Sequence, residues 1–309
     1  MNSIYRKPPA KIVENIPVFS DLDDPYVKNY EKIATDHLEH LERTGKSPFM
    51  TDDQIIESNT DTLGILRKYV PKGSKVLDAG VGYGLLLSKA DEYEKFGVDV
   101  AIPYLKIAQT NGIITSMSML EDLPFHDGTF DAVVTCDVLE HVFGLDRVLS
   151  ELIRVIRDGG YLIVRVPNEE RLDGYLTDDQ PYAHSHVRSF NLTSLRLLFE
   201  KCLGLQFVDH AYTGHFFGIS SQLRYPCVSI KDPLHEKIKF LLSKNKKLTK
   251  NPYFKSIIKL ADISTEEMVD AVLGLRETDP SLYKTLSNSL IKPAEIIVVF
   301  KISRLEKNG

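Results

Sequence analysis

From residue 75 onward the chain alternates short apolar runs with amphipathic stretches. The runs are "KVLDAG" at 75–80, "KFGVDV" at 95–100, "DAVVTC" at 131–136, "YLIVRVP" at 161–167 and "QFVDHAY" at 206–212. Their length and near-continuous hydrophobicity predict strands buried on both faces. Between them, "LDRVLSELIRVIRDGG" sets Val148, Leu149, Leu152, Val155 and Ile156 on one helical stripe that Gly159 should stop. "NLTSLRLLFEKCLG" reads as a second helix, with Asn191 as N-cap and Gly204 at its end. Strands alternating with helices predict an α/β fold built on a largely parallel sheet.

Upstream of this rhythm, Asp24 to Arg43 is polar and helix-permissive, and "PFMTDDQIIESNTDTLGILRKYVPKG" predicts a helix ending before Pro71. Downstream, "EIIVVFKI" at 295–302 returns to strand after a long stretch that reads as several helices. The expected organisation is therefore an N-terminal helical cap over 1–60, a core over 61–213, a helical insertion over 214–293, and the last core strand with the tail over 294–309. No internal repeat or low-complexity tract argues for another arrangement.

Composition narrows the class. The 309 residues are 43% hydrophobic, enough for a real core, and the net charge of −5 argues against a nucleic-acid partner, which usually needs a basic face. Cys136, Cys202 and Cys227 are odd in number and widely spaced, so they read as reduced core thiols of a cytoplasmic protein. The N-terminus lacks an apolar leader, and no run approaches the ~20 apolar residues of a membrane span. Charge is uneven, however. "KIKFLLSKNKKLTKNPYFKSIIK" at 237–259 holds eight lysines and no acid. It reads either as a solvated helical cap or as a wall that draws in an anionic or lipid-linked acceptor at a membrane surface.

The stretch "VLDAGVGYG" carries the chemistry. Its glycines let the chain turn tightly and let a ligand approach the backbone, although a plain strand-to-helix turn would use them too. Asp99 ends the next strand, where a carboxylate can accept hydrogen bonds from both ribose hydroxyls. Asp78 decides the sign of the ligand, because a pyrophosphate beside it would be repelled by on the order of several kcal/mol. The dinucleotide spacing G-x-G-x-x-G also fails, since position 85 is Leu85. A ribose, an adenine, a sulfonium and an ammonium occur together in S-adenosyl-L-methionine.

With these residues in place the sequence resembles the class I S-adenosylmethionine-dependent methyltransferases. The resemblance rests on "VLDAGVGYG", the acid of "GVDV", "LEDLPFHDGTFDAVVTCDVLEHV" and "DGGYLIVRVPN", and covers about 60–212 with the last strand. It implies a Rossmann-like, seven-stranded, mostly parallel sheet whose last strand runs antiparallel, as the late "EIIVVFKI" suits. It places Asp78, Gly80, Gly82 and Gly84 around the methionine portion of the cofactor and Asp99 on the ribose, with Val100 among the cofactor residues. Met119 and Leu120 would hold the adenine, Met119 standing where relatives often carry an aspartate. Cys136 and Asp137 would face the reactive end.

Methyl transfer needs a base only when the acceptor must lose a proton, and histidine suits that task near neutral pH. His141 and His186 are the candidates, with Asp137 beside His141. Alternatively, Asp137 and Glu140 form a capping box that leaves His141 on a first helical turn. His184 and His186 lack a cysteine or carboxylate at ligand spacing, so no metal is expected. His37 and His40 read as solvated. No "NPPY"-like element of nitrogen methylation is present, so the expected acceptor is a small molecule or saccharide, methylated on oxygen. The alternatives are a non-catalytic cofactor-binding assembly protein and a nicotinamide-dependent oxidoreductase.

Overall fold

A computed structural model describes residues 4–176, 182, 184–220, 223–226, 278–281 and 291–303. The lysine-rich segment 237–259 and Cys227 lie outside the described residues. The chain divides into two compact units, one of Met1–Phe49, Ile56–Thr213 and Ala294–Gly309, the other of Met50–Ile55 and Gly214–Pro293.

The strands of the first unit are β1 (Lys11–Val13), β2 (Ile16–Val18), β3 (Lys75–Ala79), β4 (Glu94–Asp99), β5 (Ile114–Met117), β6 (Phe130–Cys136), β7 (Ile156–Pro167), β8 (Gln206–Thr213) and β12 (Glu295–Lys301). They form one sheet in the order β1-β2-β5-β4-β3-β6-β7-β12-β8. From β5 to β7 all neighbours are parallel, and β12 slots antiparallel between β7 and β8. The expected seven strands are thus present, with the chain's last strand reversed. Two further strands come from the N-terminus. Residues 11–18, expected within a helical preface, form a hairpin whose turn residues Glu14 and Asn15 have φ of 49° and 65°, and β2 joins β5 in parallel. Two positive φ values in a two-residue turn give the twist that hairpins favour. Strands of three residues leave no periodicity to read.

Each face of the sheet is covered. In β12, Ile296, Val298 and Phe300 pack on one side with Val148, Leu149, Leu152, Leu195 and Phe199, while Ile297 and Val299 pack on the other with Leu63, Leu66, Leu105 and Ala108. The first set belongs to α4 (Leu145–Val155) and to α5 (Leu192–Arg196), which continues as a π-helical segment over Leu197–Cys202. The second belongs to α2 (Asp52–Tyr69) and α3 (Ile102–Thr110). Full burial of such side chains is worth about 1.5–3 kcal/mol each. Asn191 caps α5 as expected, in a reciprocal box with Ser194.

Two local readings change. Gly159 does not stop α4: the helix ends at Val155, and β7 begins at Ile156, paired with Phe130, running through Gly159 and Gly160. A Cβ at Gly160 would lie 2.6 Å from the Asp131 carbonyl, so glycine there lets the two strands close up. Cys202, the last residue of the π-helical segment, is exposed rather than a core thiol, while Cys136 is partly buried.

Among the described residues of the second unit, β9 (Phe216–Ser220), β10 (Leu223–Pro226) and β11 (Ile291–Lys292) form an antiparallel sheet in the order β10-β9-β11. The two ends of the insertion, expected to be helical, therefore begin and close as strands. Their short runs lie beside the helical pattern that dominates the segment's sequence.

Candidate active site

The site is assembled at the carboxyl ends of β3, β4, β5 and β6. Asp78 is the penultimate residue of β3, not part of the loop. Its carboxyl is buried, and Oδ1 has no hydrogen-bond partner. Burial pushes its pKa up to about 8; Arg165 counters this, while Asp99 and Asp137 add to it. The carboxyl is therefore largely protonated at neutral pH until a cation joins it.

The loop after β3 leads into a 3₁₀ turn, Leu87–Lys89, rather than the α-helix expected there. Gly80 and Val81 both donate to the Val98 carbonyl, at 2.8 and 3.0 Å, which folds the loop over β4. Gly80 has φ of 87°, and a Cβ there would lie 2.2 Å from Val138 Cγ2. At Gly82 a Cβ would meet nothing within 4 Å, so the middle of the loop borders open space.

Asp99 ends β4. Its Oδ2 accepts the Gly82 amide at 2.9 Å and its Oδ1 accepts the Ala101 amide at 2.9 Å. Each oxygen keeps a lone pair for a further donor. Val100 is partly exposed beside it. After β5, Met119 donates its amide to Ser20 Oγ at 2.9 Å, and Leu120 is buried at the start of a short 3₁₀ turn. The long helix α1 (Pro25–Thr44) reaches the glycine loop through His37. Its ring is buried, bonds Tyr104 Oη at 2.6 Å and meets Tyr83 edge-on, so His37 is not solvated as expected.

At the end of β6, Asp137 adopts φ of 56°, a left-handed conformation that costs a non-glycine residue about 1–3 kcal/mol. The conformation is held by the Arg165 guanidinium of β7, whose Nη2 contacts Asp137 Oδ2 at 2.7 Å. Arg165 also pairs with Glu295 of β12 at 3.0 Å and donates to Asn59 and Thr62. Ser58 donates to Glu295. Burial opposes ionisation of Asp137, but Arg165 and a hydrogen bond from Glu295 hold its carboxyl below the usual range. Burial and the Asp137 charge push Glu295 well up. This buried network, absent from the reading of the sequence, joins residues up to 237 positions apart.

The turn after Asp137 carries Glu140 and His141. No helix starts there, so no capping box forms; instead the His141 amide donates to the Val138 carbonyl at 3.0 Å. Glu140 is 1% exposed, and neither carboxylate oxygen has a hydrogen-bond partner. An unsatisfied buried polar group costs about 1–3 kcal/mol. Burial, then the Asp137 charge, pushes Glu140 well up. Burial and the nearby His186 ring hold His141 down to about 4, so its imidazole is neutral at neutral pH.

The structure brings His141 and His186 together, with ring centroids 4.4 Å apart. It separates His186 from His184, which packs on Tyr26 and Phe143 instead. His186 Nδ1 is bonded to Glu170, with Tyr175 Oη at 3.2 Å, and Tyr30 of α1 meets His141 edge-on at 5.7 Å. The Val187 amide donates to the Glu140 carbonyl at 2.9 Å, and Arg188 donates to the carbonyls of Leu139 and Val142. Sequence reasoning misses Glu140, Glu170 and Tyr30 as site residues. Glu140 does stand out in "CDVLEHV", but its spacing from Asp137 there suggests only a cap.

The family profile described as "Methyltransferase domain" matches residues 77–164, the stretch that builds this edge. This stretch is a methyltransferase domain of the class I S-adenosylmethionine-dependent type. The chain is 30% identical to "Probable S-adenosylmethionine-dependent methyltransferase" of Mycobacterium tuberculosis over 46% of this chain and 52% of that protein. It is also 30% identical to "tRNA (carboxymethyluridine(34)-5-O)-methyltransferase" of Arabidopsis thaliana, over 39% of this chain and 31% of that protein. The chain thus spans about half or less of these two relatives. In fold it is similar to a SAM-dependent methyltransferase of Thermotoga maritima, with a TM-score of 0.50 and 15% identity, covering 89% of this chain and 99% of that one. The oxidoreductase alternative falls with this assignment.

The cofactor is S-adenosyl-L-methionine, and the residues present fit it. The unpartnered Asp78 Oδ1 suits an ammonium, the open space at Gly82 suits close approach, and Asp99 has lone pairs for hydroxyls.

Proposed function

We propose that the methyltransferase acts on an oxygen of a small-molecule or saccharide acceptor bound beside His141 and His186. The observation that supports this reading is the Glu170–His186 hydrogen bond, which fixes one ring nitrogen and directs the tautomer of the other, next to a second imidazole that is neutral at physiological pH.

Bound S-adenosylmethionine supplies a methyl group on a sulfonium, already activated for displacement. The chain's own residues do the rest. Asp78, Gly80, Gly82, Gly84, Asp99, Val100, Met119, Leu120 and Cys136 bind and orient the cofactor, and Asp137, pinned by Arg165, fixes the backbone from which Glu140 and His141 project. The acceptor's O–H proton passes to His186 Nε2, leaving the oxygen free to take the methyl group. Placing nucleophile and methyl within about 3–3.5 Å supplies most of the acceleration, and the base adds roughly 10²–10⁴. If the acceptor is anionic, the lysine-rich segment 237–259 is the part of the chain suited to attract it, and transfer then weakens as salt rises.

A second reading is favoured by the Arabidopsis relative, whose name assigns it a tRNA oxygen acceptor. One assay separates the two: labelled-methyl transfer from S-adenosylmethionine onto metabolite, glycan, lipid-linked and total tRNA fractions. Label in an acceptor fraction other than RNA supports the first reading, label in tRNA supports the second, and cofactor binding without transfer to any fraction leaves the non-catalytic alternative.

A further inference from the structure

Among the described residues, Glu140, His141 and His186 each offer one ligand atom, and these atoms lie within 4.8 Å of one another. Sequence spacing could not show this, because the two histidines are 45 positions apart. Three features make the group more than a cluster of polar residues. Glu140 is almost fully buried with neither oxygen hydrogen-bonded, and its Oε1 lies 3.9 Å from His141 Nε2. His141 Nδ1 is likewise buried without a hydrogen-bond partner. His186 is bonded through Nδ1 to Glu170, which in turn accepts from Tyr175 Oη at 2.9 Å. An imidazole held this way by a carboxylate presents its other nitrogen in a fixed direction, the arrangement that orients histidine ligands on metals.

We propose that Glu140, His141 and His186 bind a divalent transition-metal ion, with Glu170 orienting His186. Two imidazoles and a carboxylate suit Zn²⁺, Fe²⁺ or Mn²⁺ better than Mg²⁺ or Ca²⁺, which prefer all-oxygen sites. Bonds of about 2.1 Å in a tetrahedral site put ligand atoms about 3.4 Å apart, so small side-chain rotations close the present spacing around an ion. The backbone is already tied for it, through the Val187–Glu140 and Arg188–Leu139 hydrogen bonds. Three protein ligands leave a coordination position open, as in catalytic rather than structural sites. The acceptor hydroxyl would occupy it and lose its O–H proton to water, the ion replacing His186 Nε2 as the group that ionises the oxygen. Only this last step rests on the oxygen-acceptor reading; the ion site itself does not.

The test uses the full chain, untagged and stripped of metal, titrated with Co²⁺ and Zn²⁺ by calorimetry and, for Co²⁺, visible absorption. The expected result is one ion per chain with Co²⁺ d–d bands, lost in Glu140→Gln and in the His141→Ala/His186→Ala double variant. Glu170→Gln keeps all three ligands and should weaken binding about 10–100-fold. S-adenosylhomocysteine affinity, measured on the same samples, should stay unchanged and also reports that each variant is folded. Wild-type protein that takes up no more ion than the double variant overturns the site, as does unaltered affinity in Glu140→Gln. Ion binding in a protein that transfers methyl to no acceptor would keep the site and remove the oxygen-acceptor reading.

Discussion

Asp99 Oδ2 accepts the Gly82 amide at 2.9 Å, so the carboxylate at the end of β4 fixes the middle glycine of the loop that follows β3. The same side chain reaches forward to the Ala101 amide at the start of α3. A residue expected only to contact ribose thus braces the loop after β3.

Asp99→Ala should therefore act twice. It removes an acceptor for the cofactor's hydroxyls, a charge-assisted bond worth about 1.5–3 kcal/mol, or roughly 10–150-fold in affinity, and it releases the loop. Calorimetry with S-adenosylhomocysteine should show the affinity loss, and hydrogen exchange should show faster exchange of the Gly82 and Ala101 amides. Unchanged affinity would take Asp99 out of the site.

The glycines of the loop should separate by substitution. At Gly80, alanine would meet Val138 Cγ2 at 2.2 Å on a backbone with φ of 87°. Gly80→Ala should destabilise the protein by several kcal/mol, on the order expected for overpacking combined with positive-φ strain. At Gly82 the space is open and φ is 51°, so alanine costs about 1 kcal/mol of backbone strain. Urea unfolding should show the large stability loss only at position 80, while Gly82→Ala, still folded, should bind the cofactor more weakly because its methyl projects into the open space.

How far the site was legible depends on distance along the chain. Asp78, Gly80 and Asp99 could be proposed from the sequence because a strand, a tight turn and a strand end are each marked by a few neighbouring residues. Asn191 as an N-cap was readable for the same reason. Arg165 stands as one polar residue in the apolar run "YLIVRVP"; its partner Asp137 follows β6 and Glu295 begins β12, and only the pairing of β6, β7 and β12 aligns them. The approach of Glu140 and His141 to His186, and of Glu170 to His186, was hidden in the same way. The hairpin at 11–18 escaped because three-residue strands carry no period, and β5 because "ITSM" alternates over only four residues.

Arg165 tests the buried network. Removing one partner of a buried ion pair typically costs about 3–5 kcal/mol, because the remaining charge is left unpaired. Arg165→Met leaves Asp137 and Glu295 facing each other without a cation, so its unfolding free energy should drop by about that amount. Adding Glu295→Gln should recover part of the loss by removing the second carboxyl. A single variant whose loss stays under about 1 kcal/mol, well short of what breaking a buried pair costs, would mean that Asp137 is held by other contacts.

Asp78 ties stability and cofactor binding to pH in opposite directions. Burial raises its folded pKa from the ordinary 3.8 to about 8. Between those values the folded protein holds a proton that the unfolded chain has released, so the contribution is full below pH 3.8 and is lost as pH rises towards 8. The limit is about 1.4 kcal/mol per pH unit from this one group. Cofactor binding has the reverse sign. An ammonium beside Oδ1 favours the ionised carboxylate, so binding must expel the proton, and affinity should climb with pH up to about 8 and then level. Calorimetry in two buffers of different ionisation enthalpy at pH 6.5 should report close to one proton released per cofactor bound. Asp78→Asn cannot ionise. It should bind more weakly at pH 8, release no proton, and lose this component of the stability slope between pH 5 and 8. A wild-type protein that binds S-adenosylhomocysteine with the same affinity at pH 6 and pH 8.5 would show that Asp78 is not the partner of the ammonium.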